Sequence, residues 1–222
     1  MAVTTDSEKP ADEKYMKILK IMVDEPTNYN KIMETAAECG HIEIVKLMLE
    51  KGAKNYDSVM RTAVYFGHIE IVKLMLEKGA KNYDSAMENA ASEGHIEIVK
   101  LMLEKGAKDY DWAMRSAAQG GHIEIVKFML EKGANDYDSA MYFAACCGHI
   151  EIVKLMLETG ANNYDCAMSS AAMYGHTGIV NFLQEHQKIQ KVECSKDDEI
   201  ILLKKENELL KLKLNKIQEI II

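Results

Sequence analysis

The sequence predicts an all-α solenoid, a row of stacked antiparallel helix pairs ending in a C-terminal coiled-coil helix. Three observations predict it. The Gly-His pair stands at 40, 67, 94, 121, 148 and 175, always 27 residues apart, inside a recurring block such as YDSAMENAASEGHIEIVKLMLEKGAKD from Tyr83. A period of this size marks an array whose units bury their apolar faces on one another. Two prolines and 7% aromatics suit neither a sandwich nor a barrel, whereas runs of Ala, Met, Leu, Glu and Lys favour helix. The last residues, DDEIILLKKENELLKLKLNKIQEIII, hold a heptad pattern.

In chain order, residues 1–13 are an acidic tip expected to be disordered. Residues 14–28, KYMKILKIMVDEPTN, match the second helix of a unit with one residue missing and Pro26 in place of glycine, an N-terminal half-repeat cap. Six units fill 29–190. In the third, Asp84 is expected to N-cap a first helix, A, that runs from Ser85 to Glu93 and stops at Gly94. A second helix, B, runs from His95 to Lys105 and stops at Gly106. Its polar residues Glu97, Lys100 and Glu104 share one wetted stripe, so the rest of its circumference is buried. The link of Ala107 to Tyr110 is too short for a projecting β-hairpin. The last helix B, His176 to Glu185, lacks the Glu-Ile pair and the Gly-Ala stop, so the array ends there and its end units are expected to fray first.

The pattern AAxxGHxxIVxxMLxxGA, here Ala90, Ala91, Gly94, His95, Ile98, Val99, Met102, Leu103, Gly106 and Ala107, resembles the second two-thirds of an ankyrin repeat. The usual repeat has 33 residues and a Thr-Pro-Leu-His entry. Here Ser85-Ala86-Met87-Glu88 stands at the entry and the hairpin residues are gone, so hairpin contacts do not carry over. The resemblance implies a stack of helix pairs that grips partner proteins on its concave face. Such short, near-identical units are similar to those of the ankyrin families of giant viruses of amoebae and of some protists.

Residues 191–195 are read as a linker and 196–222 as the coiled-coil helix, beginning near Ser195. The register places Ile200, Asn207, Leu214 and Ile221 at a, and Leu203, Leu210 and Ile217 at d. Asn at a favours a two-stranded parallel register, and Glu199–Lys204 and Glu206–Lys211 would attract between parallel strands. The expected result is a parallel homodimer. The off-seam Leu202, Leu209 and Ile220 support the alternative, a helix folded back on the last unit.

A net charge of −8 with no basic stripe argues against nucleic acid and anionic membrane as partners. No apolar run spans a membrane or serves as an export signal, and five cysteines at irregular spacing (39, 146, 147, 166 and 194) form no disulfide framework. Residence inside a cell is expected, cytoplasmic or nuclear, in a host cell if the chain is viral.

No catalytic or metal constellation and no cofactor is expected. Six of seven histidines and eleven of fifteen methionines recur with the period, which packing explains more simply than a site. Cys146, Cys147 and Cys166 form the one thiol cluster of the array, without CxxC spacing, and every repeated glycine is a helix stop rather than part of a phosphate loop.

Differences between units concentrate on helix A. The positions two, five and nine after each unit's Tyr share one face of that helix. They read Lys31, Ser58, Ser85, Trp112, Ser139, Cys166; Glu34, Arg61, Glu88, Arg115, Tyr142, Ser169; and Glu38, Tyr65, Ser92, Gln119, Cys146, Met173. Aligned side by side they form a strip rich in the residue types that dominate interfaces. The candidate contact residues are Arg61, Tyr65, Glu88, Trp112, Arg115, Gln119 and Tyr142, with exposed Arg61 and Arg115 suiting a mixed-charge partner. The expected function is a non-enzymatic protein-binding scaffold. The rivals are an assembly protein working through its tail and a substrate adaptor, for which no recruiting motif is recognisable.

Overall fold

The computed structural model describes residues 18, 20–22 and 27–221, without the side chains at 193–195, 197–199, 209 and 212–221. The expected tip and most of the expected cap lie outside these residues. Ile18 is fully buried in the core, and Ile21 and Met22 pack against it.

Among the described residues twelve helices follow, alternating between two layers. The inner layer holds α1 (Tyr29–Cys39), α3 (Tyr56–Tyr65), α5 (Tyr83–Ser92), α7 (Tyr110–Gly120), α9 (Tyr137–Cys147) and α11 (Tyr164–Met173). The outer layer holds α2 (Ile42–Glu50), α4 (Ile69–Glu77), α6 (Ile96–Glu104), α8 (Ile123–Glu131), α10 (Ile150–Thr159) and the start of α12 (Thr177–Ile221). Inner helices lie close to their neighbours through buried Ala pairs such as Ala90–Ala91 and Ala117–Ala118, whereas outer helices barely touch. Unequal spacing of the layers curves the stack, with the inner layer on the concave side. Met33, Met60, Met87, Met114 and Met141 fill the seam between layers together with Val45, Val72, Val99, Val126 and Val153.

From the second unit on, the first helix of each unit begins one residue before the aspartate that, in the third, is expected to cap it. Asn82 is the N-cap of α5, and Asp84 sits inside the first turn. Its Oδ1 accepts from the backbone N–H groups of Lys108 and Asp109, in the link after the next outer helix. Asp111 does the same for Asn135 and Asp136, and Asp138 for Asn162 and Asn163. The repeated aspartate therefore ties the start of one inner helix to the residues that lead into the next. Asp84→Ala is expected to cost about 1–2 kcal/mol in chemical denaturation, the range of two lost hydrogen bonds to a charged acceptor at an exposed site. Asp165→Ala should cost nothing measurable, because α12 runs on where that link would stand and no hydrogen bond reaches Asp165 among the described residues. Equal losses at the two positions would refute the tie.

The Gly-His pair has a matching role. Gly94 ends α5 in the left-handed conformation (φ +82°), and the His95 N–H donates to Ala90 O at 2.8 Å to close the turn. From the second unit on, each ring then reaches back across the unit boundary. Nε2 of His68, His95, His122, His149 and His176 lies 2.9–3.2 Å from the carbonyl oxygens of Glu38, Tyr65, Ser92, Gln119 and Cys146. Those carbonyls lie in the last turn of an inner helix, where no intrahelical donor remains.

α12 departs from the expectation for the tail. It runs unbroken from Thr177 to Ile221, so residues 191–195 are helical rather than a linker, and no new helix starts at Ser195. Capping residues in mid-sequence mark a start only where the preceding turn is not already helical, and here it is. Nor does the helix fold back on the last unit: Ile200, Leu202, Leu203 and Leu210 are all exposed.

Candidate functional site

Every strip position is at least partly accessible, from Lys31 to Met173, while the residues between them, such as Val59, Met60, Ala63 and Val64 on α3, are buried. Helical period alone produces this division. Tyr65 is 52% exposed and Trp112 47%, well above what a packed aromatic in a core retains.

The strip falls into three clusters. At the N-terminal end, Arg61 and Tyr65 share a depression of about 460 Å³ with Glu38, Thr62, Phe66 and Asn89, spanning three units. Arg61 also borders a smaller one of about 200 Å³ with Asp57, Ser58 and Asn82. Its guanidinium is exposed, and no hydrogen bond or ion pair reaches it among the described residues. Tyr65 meets Phe66 edge-on at 5.0 Å, and the Phe66 ring stacks on His68.

In the middle, the Arg115 guanidinium lies 3.7 Å above the Trp112 ring. Among the described residues its Nε is buried without a hydrogen-bond partner, with the Asp136 carboxylate 3.9 Å away. Arg115 is thus not the exposed cation expected from the sequence. It is a half-buried base that holds the indole in place, a cation–π contact worth about 0.5–2 kcal/mol. The i, i+3 spacing of Trp112 and Arg115 on one helix could have revealed the pair. At the third cluster, Tyr142 is exposed and packs edge-on against Phe143 at 5.3 Å. Glu88 is half-buried between the first two clusters, and Gln119 is exposed with its carbonyl committed to His149.

Sequence reasoning missed Thr62 and Asn89. They stand six residues after their unit's Tyr, four past the first strip position and three before the last, so the same helical period assigns them to this face.

The thiols offer little chemistry. Partial burial pushes the Cys147 thiol up, and the neighbouring Cys146 adds to the effect, which leaves less of the nucleophilic thiolate. No cluster of His, Cys, Asp and Glu fit to hold a metal occurs among the described residues. Nor is any helix among them long and apolar enough to cross a membrane.

Fold and surface together define a curved helical-repeat array with a variable inner face on an invariant frame. The family model described as "Ankyrin repeats (3 copies)" matches in four overlapping stretches, 11–86, 33–112, 60–138 and 114–194, and the chain belongs to the ankyrin-repeat family. Domains of this family generally mediate protein–protein interactions and are usually non-catalytic. The human ASB11 ankyrin repeat domain has a similar fold, with a TM-score of 0.57 and 22% identity over 69% of this chain and 82% of that one. No curated protein matches the sequence.

Proposed function

We propose that this chain is a non-enzymatic, intracellular scaffold that binds a protein partner on its inner helix face. The observation that supports this most is the separation of variation from tie residues. The Asp and Gly-His ties of the frame repeat almost unchanged, while the accessible inner positions differ from unit to unit and hold Arg61, Tyr65, Trp112 and Tyr142. A spacer needs only the ties, whereas a binding surface needs variation placed where a partner can touch it.

The test is a pull-down with mass spectrometry comparing the native chain with the variant Arg61→Ala, Trp112→Ala, Tyr142→Ala. All three side chains are exposed, so the variant should keep its helix content. Partners held by the native chain and lost from the variant are expected, since truncated interface aromatics and arginines commonly cost about 2 kcal/mol or more each. Capture of the same proteins by both would assign the strip to scaffold.

A second reading concerns the tail. Ile200, Leu203 and Leu210 expose the apolar residues of the heptad, which supports a parallel homodimer through α12. Asn207, also exposed, occupies the register-setting position. Leu214, Ile217 and Ile221 continue the register, their side chains lying outside the described ones. Joining two arrays would add avidity to inner-face binding. If assembly were instead the whole function, inner-face substitutions would leave it intact and tail substitutions would abolish it.

A further inference from the structure

Because α12 is one unbroken helix, residues on both sides of 195 share a single helical lattice. At 3.6 residues per turn, Ile189, Val192 and Lys196 fall within the same arc of about 80° as the heptad positions Ile200 to Leu210. Ile189 is 57% exposed, as open as Leu203 at 51%, and Val192 is similarly accessible. These two exposed residues precede the heptad.

The opposite need is met by other residues. Ile179 and Leu183 are buried against the array, and His186 and Gln190 bond the Tyr164 hydroxyl. Their common direction lies about 110° around the helix from the apolar arc. A second helix lying along that arc would pass beside its neighbour's array rather than into it.

We propose that the dimer seam begins at Ile189, not at Ile200, and that its occupant is the same helix of a second copy of this chain. The inference rests on the tail-dimer reading. The occupant follows from self-complementarity: in parallel register Asn207 meets Asn207, and the Glu199–Lys204 and Glu206–Lys211 pairs are reciprocal between identical strands. The steps from 189 to 192, 196 and 200 span eleven residues in three turns, a period that keeps paired helices nearly straight before the heptads wind them left-handed. Lys196 is the one charged residue on this stretch of the stripe. Its alkyl stem can lie along the seam with the ammonium at the edge.

The consequence is mechanical. With the seam starting beside Gln190, which bonds Tyr164 of the array, no flexible joint separates array from dimer. The two inner faces then stand at a fixed mutual orientation, and a partner carrying two binding segments is selected by their spacing.

Sedimentation equilibrium of the full chain at micromolar concentration tests this, with circular dichroism to confirm that each variant keeps its helix content. The parent is expected to be a dimer, and Leu203→Glu to dissociate it. Ile189→Glu should weaken the dimer about tenfold or more, while Lys191→Glu, on the far side of the helix, should change it by less than about twofold. If Leu203→Glu dissociates the dimer and Ile189→Glu does not weaken it, the extended seam is overturned and the tail dimer stands. A monomeric parent overturns both.

Discussion

Gly94→Ala is expected to destabilise the array by about 3 kcal/mol, and Gly106→Ala by only about 1 kcal/mol, although both glycines are helix stops with positive φ. At either site a Cβ costs about 1–2 kcal/mol in the left-handed region. The sites differ in what the new methyl would meet. At Gly106 there is open space, whereas at Gly94 it would stand 2.6 Å from Cε1 and Nδ1 of His122. The ring cannot retreat without giving up its hydrogen bond to Ser92 O at 2.9 Å, which leaves a helix-end carbonyl without its partner. Urea denaturation measures both variants. A double-mutant cycle isolates the cause, since in a His122→Ala background Gly94→Ala should cost no more than Gly106→Ala. An unchanged difference in that background would show that the ring is not the obstacle.

The same geometry explains how much of the fold was legible in the sequence. A glycine at the end of a helical pattern announces a left-handed stop, and that reading needs only local rules. What local rules do not reach is the second reason for the residue, the histidine of the following unit, which stands 28 positions ahead of Gly94. The aspartate repeats the lesson. Asn82 and Asp84 are both good capping types two residues apart, and capping preference cannot choose between them. The choice is made by the link that closes the unit, 24 and 25 residues further on, whose backbone N–H groups claim Asp84. Period, helix faces and core were therefore readable, and the ties between residues 24 or more positions apart were not. The inner face was readable for the same reason as the core, because helical period sorts positions by side. The state of an individual side chain on that face was not: Arg61 stands free among the described residues, while Arg115 is stacked on Trp112. In the tail, polar residues around 195 imitated a helix start inside a helix that continues through them.

The C-terminal end of the array shows how an open end is closed, and its disruption carries the other large expected effect. Outer helices of the inner units stop after nine or ten residues at a Gly-Ala link, but α12 has no such stop and runs on past Glu185. The added turn lies over Tyr164, which is 6% exposed while the equivalent tyrosines of earlier units remain half-open. The Tyr164 hydroxyl lies 3.0 Å from His186 Nδ1 and donates to Gln190 Oε1 at 3.1 Å. Fully buried Leu183 supplies the apolar anchor. Leu183→Ala should therefore cost about 2–5 kcal/mol in the last unit, the range of a buried leucine truncated to alanine. In a linear array the loss is felt locally, so hydrogen exchange should quicken in α11 and the start of α12 well before α5 or α7. A chain ending at Gln190 keeps every one of these contacts and should melt like the full array, whereas one ending at Gly175 should lose its last unit. Burial pushes the Tyr164 hydroxyl up, so the folded end holds its phenol neutral to higher pH than the unfolded chain does. That contribution is complete below pH about 10, and it is lost as pH rises from there through the raised folded value. Tyr164→Phe should remove the alkaline dependence while sparing most of the packing. A uniform rise in exchange across all units on Leu183→Ala would contradict the local closure and point to a single cooperative unit instead.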